Sequence, residues 1–536
     1  MNLSAWQNGR RLVPRWRSFA TTLRAGELSS PKQIGPAAPV PPDLMHRLEM
    51  FNLTPGLVTA AEAVEAAIVS GRDSDAVDAA RRLVSIDDDA APLIKEQAWR
   101  LLSRTGNLPK TSNEIELKPR PDAASWRRLT RIHPHDPVAW VELSLEQTIR
   151  RQKRAALRSM SVALHLAPYN RFVVRSAARL HLHLEDPERA HDLVARNLAT
   201  RSDPWLMAAE IALAAVASRS PRFLKTGLET VEESGLGPHQ ITELAGAVGT
   251  EVLLSGNRKR SRRMFVKSMA EPTGNALAQG EWAAPHFGAE FVLQNHLDTV
   301  PEAFEAKALH LYREGRLAEV PEVCEEWATA DPFSIRPLEF GATTASIIEE
   351  YSCALSLAQR GLAIRPDAAK LLNSAAFSLA SIGRLDEAEG YIKKIPKHQD
   401  DIISNVTLAN KGLIAYRRGR NLEARRLYTE AIDGFKRSGH PLLSAKARLY
   451  LARESIRANE ADSEAMLAHA KDLAKPFEKT DLRIILNSIE QHFSEKERRE
   501  LGTPADSSLP RADLKDLKWS TPGLPPQYQF DVLKLE

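Results

Sequence analysis

Only two cysteines, Cys324 and Cys353, occur in 536 residues, too few for a disulfide framework or a multi-cysteine zinc site. Aromatic residues make up 6%, so a large core has to be filled chiefly by aliphatic side chains and alanine. Long apolar runs are missing as well, and no stretch approaches the ~18 consecutive apolar residues that a membrane span requires. The sequence has no phosphate-cradling Gly-rich loop with a following Lys-Ser/Thr, no dinucleotide fingerprint and no nucleophile elbow. What remains is 43% hydrophobic and 26% charged, the composition of a folded soluble chain. The expected setting is cytoplasmic.

The 73 basic and 69 acidic residues give a net charge of +4, and the excess is local. Residues 1–26 carry Arg10, Arg11, Arg15, Arg17 and Arg24 without an acid, and beyond them 68 basic residues face 69 acidic ones. That balance argues against general nucleic-acid coating. The opening arm lacks the apolar core of a signal peptide. Trp6, Trp16 and Phe19 favour an arm docked onto a helical body; a loose basic tail and a targeting or membrane-surface segment are the alternative readings. Pro31, Pro36, Pro39, Pro41 and Pro42 then mark a semi-rigid connector.

From about residue 43 the pattern is helical. Thr54 is a cap candidate with Pro55 at the first-turn position, for a helix ending near Gly71. DSDAVDAARRLVSI supplies a second helix, and residues 92–104 a third that stops near Gly106. Residues 107–122, polar and with three prolines, read as a connector.

At Pro137 a period emerges. Trp140, Leu143, Ser144, Ala156, Met160, Ala163 and Pro168 occupy positions 4, 7, 8, 20, 24, 27 and 32 of a helix–turn–helix unit. The next unit, 34 residues on, matches with Val174, Ala177, Ala178, Ala190 and Val194, and a weaker third has Ala208, Ile211, Ala212, Leu224 and Leu228. The pattern returns with Phe304, Ala308, Leu311, Val320, Cys324, Trp327 and Pro332. It continues through Ala342, Ala354, Ala358 and Gly361, then Leu372, Ala376, Leu379, Ala388 and Ile392, then Leu408, Gly412, Ala424, Tyr428 and Ala431. Small residues at positions 8 and 20 let paired helices approach, and larger ones at 4, 7, 11 and 24 fill the space between pairs. One pair buries too little alone, so neighbours must stack.

This pattern resembles the tetratricopeptide repeat family, best at 137–202 and 301–433 and over about half the chain. The resemblance implies an all-α fold, a right-handed α-solenoid of antiparallel helix pairs, and protein or peptide recognition. Position 8 departs from glycine at Ser144, Ala178, Ala308 and Ala342, and the spaced Lys, Arg and Asn set with which some members clamp an acidic chain end is not reproduced. The expected organisation is a basic arm and connector (1–42), an N-terminal helical region (43–125), repeats with an irregular central unit at 271–300 (126–300), further repeats (301–475), and a terminal helix with a Pro-rich tail (476–536). Among the tail's apolar residues, Trp519, Tyr528 and Phe530 favour an extended segment lying on the array or on a partner, with a disordered end as the other reading.

Chemistry-bearing residues are sparse. Cys324 and Cys353 fall at packing positions and read as small buried hydrophobes. His181 and His183 point about 200° apart on a helix and cannot readily share a metal; His133 and His135 flank a turn set by prolines; Asp87, Asp88 and Asp89 lack the spacing of a calcium loop. No catalytic residue, cofactor site or metal site is read. Two basic runs stand out, one with Arg150, Arg151 and Arg154, the other with Lys259, Arg263 and Lys267 as a stripe of one helical face. Beside the plain reading of a solvated face stand contact with an acidic protein surface and, more weakly supported, contact with nucleic acid. The expected function is a noncatalytic interaction scaffold or regulatory subunit binding a protein or peptide. The alternative is a helical subunit of a nucleic-acid-acting or defence-type complex whose catalysis resides in another chain.

Overall fold

A computed structural model describes residues 13–16, 42–70, 72–85, parts of 95–107, and, with short gaps, 123–477 and 482–500. Of the described residues 79% are helical and none is in a strand. The chain forms two compact units, residues 1–280 with 294–303, and residues 281–293 with 304–536.

Unit 1 opens with α1 (Pro42–Leu53), α2 (Leu57–Ser70), α3 (Val77–Ser85) and α4 (Ala123–Ile132). Antiparallel pairs follow: α5 and α6 (Pro137–Ile149, Lys153–Leu166), α7 and α8 (Arg171–His183, Pro187–Ala195), α9 and α10 (Pro204–Val216, Leu224–Glu233), and α11 and α12 (Pro238–Leu254, Arg258–Ser268). The expected irregular centre contains α13 (Gly274–Phe287), with Pro285 inside it, and the short α14 (Gln294–Thr299). Unit 2 has the pairs α15 and α16 (Phe304–Arg313, Val320–Ala330), α17 and α18 (Arg336–Ile347, Tyr351–Ile364), α19 and α20 (Ala369–Ser381, Leu385–Lys394), α21 and α22 (Asp401–Arg417, Asn421–Arg437), and α23 and α24 (Pro441–Arg457, Ser463–Ala474). The last helix is α25 (Leu482–Glu500).

Each pair closes on the same turn. In unit 1 the N–H groups of Gln152, Asp186, Arg219 and Asn257 donate to the carbonyls of Gln147, His181, Ala214 and Val252, five residues back. The residue before each donor has positive φ: Arg151 at 58°, Glu185 at 62°, Ser218 at 55° and Gly256 at 89°. This is the six-to-one closure that ends a helix on a left-handed residue. In unit 2 it recurs with Gly315, Glu349, Gly383, Gly419 and Asn459 in the left-handed place. Within each unit the chain therefore reverses in the same way every 33–40 residues.

The helix crossings fall where small residues stand. Ala156, Ala190, Ala354, Ala388 and Ala424 are fully buried. At Gly412 a β-carbon would lie 2.7 Å from the Tyr428 ring, and at Gly249 3.0 Å from Phe265, so the partner ring occupies the space a side chain would need. The terminal α25 brings Leu482, Ile485 and Ile489 into one core with Leu449, Ile347 and Leu317. Its Ser488 hydroxyl donates to Glu349 Oε1 at 2.7 Å.

Two local expectations are corrected. Thr54 does not cap α2, which starts at Leu57; the Thr59 hydroxyl instead donates to the Thr54 carbonyl at 2.6 Å and accepts from the Gly56 N–H at 3.1 Å. In the third unit Leu224 and Leu228 are only half-buried, and Gly227 and Val231 take the inward places. The cause is the insertion around Pro221. The buried Glu210 carboxylate holds it by accepting from the N–H groups of Arg222 (3.0 Å) and Phe223 (3.3 Å) and by contacting His191 Nε2 (2.8 Å). Beside the buried Leu253, Leu254 is 54% exposed because it ends its helix on the outer side.

Candidate interaction surfaces

In unit 1 the first helices of successive pairs carry a cluster that runs from repeat to repeat. Arg175 on α7 donates to the Trp205 carbonyl at 3.0 Å and to Glu243 on α11 at 2.8 Å. Arg171, one turn earlier, lies 3.3 Å from Glu65 on α2. Both guanidiniums sit over the Trp205 ring, 5.1 and 5.5 Å from its centroid, and His239 meets that ring edge-on at 5.6 Å. Burial pushes the Glu65 carboxyl up, against the opposing pull of Arg171. It does the same to Asp203, which Arg171 and the N–H groups of Trp205 and Leu206 draw the other way. Gln240 on α11 donates to the Ile68 carbonyl at 2.6 Å, so α2 lies across the beginnings of several repeats.

The same unit holds an irregular segment of the N-terminal arm. Trp16 is 1% exposed, and Val13 joins the core of α9, α11 and α12. Arg15 Nε donates to Asn275 Oδ1 at 3.0 Å, and Asn275 Nδ2 donates back to the Val13 carbonyl at 3.5 Å. Pro14 fixes its own φ and biases Val13 toward an extended conformation. The docked-arm reading thus holds at Trp16; Trp6 and Phe19 lie outside the described residues.

Unit 2 has its own inter-repeat charges. Arg453 on α23 is 2% exposed, donates to Glu454 at 2.8 Å and to the Tyr351 hydroxyl at 3.3 Å, and lies 4.7 Å from the Tyr450 ring centroid. Burial works against its charge, but Glu454 together with Tyr351, Tyr450 and Tyr428 outweighs it and the guanidinium pKa is raised. Arg417 on α21 completes the group at 2.6 Å from Glu454. Asn410 likewise donates to the Asn373 side chain at 2.9 Å. These contacts hold neighbouring repeats together.

The residues singled out from sequence are distributed unevenly. Arg150, Arg151 and Arg154 are exposed around the α5–α6 turn, with Glu146 3.9 Å from Arg150. Lys259 and Arg263 are exposed on α12, whereas Phe265 and Ser268 of the same helix are buried. Lys267 departs from the stripe: it is half-buried, and its amine donates to the Val231 carbonyl at 2.6 Å. Trp519, Tyr528 and Phe530 lie outside the described residues. Cys324 is buried; the Cys353 thiol is pushed up by burial and by Glu325 and Glu350, away from a reactive thiolate. Among the described residues no three metal-ligating side chains come together, and no helix is long and apolar enough to cross a membrane.

The buried charge pairs were not found from the sequence. Arg175 and Glu243 are two repeats apart, and nothing in one repeat marks either as a partner. A spaced search for opposite charges one or two periods apart would have raised them.

No known family profile matches the chain, and no curated protein matches it. Solved structures similar to it include the APC/C hetero-tetramer Cut9–Hcn1, at 12% identity and a TM-score of 0.38, covering 83% of this chain and 92% of that one. A human IFIT1 dimer with PPP-AAAA has 12% identity and a TM-score of 0.31, over 87% and 94% of the two chains. Yeast Tom70 has the same identity and score over 83% and 96%. At these values the likeness adds nothing to what the turns and crossings establish. Each unit is a succession of antiparallel helix pairs closed by the same turn. In unit 1, Val13–Trp16 is an irregular piece of the arm whose Val13 packs on α9, α11 and α12.

Proposed function

We propose that the protein is a noncatalytic interaction scaffold whose repeats receive extended peptide segments. One observation carries this: unit 1 already holds an irregular segment of the arm, burying Trp16 and binding Arg15 and the Val13 carbonyl through the two ends of the Asn275 amide. A side-chain amide that accepts from a ligand side chain and donates to its backbone fixes a chain without dictating every residue. The buried Trp supplies an apolar anchor of the kind that dominates peptide affinity. The proposed setting is cytoplasmic, and two free cysteines suit a reducing compartment.

The test uses the full chain with Trp16→Ala, which empties the anchor place, and a labelled peptide of residues 11–18. The peptide should bind this variant more tightly than the parent protein, whose own arm competes, and Asn275→Ala added to the variant should weaken it. Equal, negligible binding to all three would overturn the reading.

A further inference from the structure

The sequence sets RRQKRAALR apart as a basic run, and the fold enlarges it. Helix α4 exposes Arg127, Arg128 and Arg131 along one face. Arg127 Nη2 reaches Gln152 Oε1 at 3.4 Å, and Gln152 is the residue from which α6 starts. Around that point the turn and the first part of α6 expose Arg151, Arg154 and Arg158. Six exposed guanidiniums from two segments separate in sequence are thereby carried on α4, the α5–α6 turn and α6, with Arg127 touching the start of α6. Among the described residues none of the six is paired with a carboxylate, whereas Arg219 lies against Asp192 and Glu188 and Arg260 against Glu232.

What surrounds them decides the partner. None of the exposed large apolar side chains lies on α4, α5 or α6, so the patch lacks the apolar anchors on which a protein interface is built. Arginine forks without such anchors match phosphate oxygens, which arginine binds bidentately and without sequence preference. Beyond residue 26 the chain is balanced in charge, so attraction to a polyanion comes from local patches and is not a property of the whole surface.

We propose that the arginines of α4, the α5–α6 turn and α6 bind the phosphate backbone of a nucleic-acid strand, without reading its bases. This does not rest on the peptide-scaffold reading, since it uses a different surface. The acidic protein partner suggested by the sequence is the rival for this patch.

The experiment uses full-length protein and a fluorescein-labelled U20 RNA, followed by anisotropy between 50 and 200 mM salt. If six phosphates are neutralised, the logarithm of affinity should fall with the logarithm of salt with a slope of about −4. Arg128→Gln, Arg151→Gln, Arg154→Gln and Arg158→Gln combined should flatten that slope by about 3 and weaken binding at least about tenfold at the lowest salt. Lys259→Gln with Arg263→Gln should leave both unchanged. An unaltered circular dichroism spectrum verifies that the variants are folded. The proposal is overturned if the parent protein fails to bind the RNA, or if the quadruple variant binds it like the parent. It is overturned in favour of an acidic protein if polyglutamate of equal charge displaces the RNA as well as unlabelled RNA does.

Discussion

The Ser144 hydroxyl donates to the Ala156 carbonyl at 2.8 Å, joining the two helices of a pair at their narrowest crossing. The same bond is made in the opposite direction in α11 and α12, where Ser261 donates to the Gly249 carbonyl at 2.7 Å. A serine at either small position both permits the approach and binds across it. Ser144→Ala should therefore cost only the net value of one hydrogen bond, about 0.5–1.5 kcal/mol. Ala388→Phe, at the equivalent crossing of α19 and α20, should overpack and cost about 1–3 kcal/mol or more. Denaturant unfolding orders the two, and an Ala388→Phe variant as stable as the parent would show that the crossing is misplaced.

The left-handed turns make a prediction of opposite sign. Ser218 is exposed at φ 55° where Gly256, Gly315, Gly383 and Gly419 hold the corresponding place. A β-carbon in that conformation costs about 1–2 kcal/mol, and glycine's extra freedom in the unfolded chain returns about 0.4–1 of it. Ser218→Gly should thus raise stability by up to about 1 kcal/mol, seen as a higher unfolding midpoint. A lower midpoint would mean that the Ser218 side chain contributes something else.

How much of this could be read beforehand depends on where the information sits. The fold was legible because positions 8 and 20 are small in most pairs, so Ala156 and Ala190, and again Ala354 and Ala388, stand one 34-residue period apart. The left-handed turn was harder to see, since Arg151, Glu185, Ser218, Glu349 and Asn459 occupy it without being glycine. In the third unit an insertion slid the contact from Leu224 to Gly227, a change that counting by 34 cannot register. The polar contacts between repeats were out of reach, because Arg175 and Glu243 meet only after the pairs have stacked. Trp16 was visible as an anchor, but Asn275, which holds its neighbours, carries no signal in sequence.

On α12 the basic stripe separates into two kinds of residue. Lys259 and Arg263 stand in solvent, so Lys259→Glu with Arg263→Glu should change stability by no more than about 0.5 kcal/mol. Lys267→Glu removes the bond to the Val231 carbonyl and brings a carboxylate against it, and should cost about 1–3 kcal/mol. Thermal unfolding of the two variants distinguishes them. If both behave alike, the Lys267 contact has no structural part.

Arg425 on α22 bonds two carboxylates beyond the end of α23. Its Nη2 donates to Glu460 Oε2 at 2.8 Å and its Nη1 to Asp462 Oδ2 at 2.7 Å, while the Tyr416 hydroxyl donates to Glu460 at 3.0 Å. Partial burial opposes the charge on Glu460, but the bonds from Arg425, Ser455 and Tyr416 outweigh it and lower the carboxyl pKa. Arg425 lowers that of Asp462 by its hydrogen bond. Both folded-state values therefore lie below those of the unfolded chain, and the stability they contribute is present above the ordinary carboxylate range and lost as pH falls through the folded values. Arg425→Ala should raise both carboxyl titrations, read by carbon NMR, and reduce stability at pH 7. The deficit should shrink as pH falls below about 4, where the parent loses the same interaction by protonation. A deficit that stays constant from pH 7 to pH 3 would assign the effect of Arg425 to packing of its alkyl stem, which does not titrate.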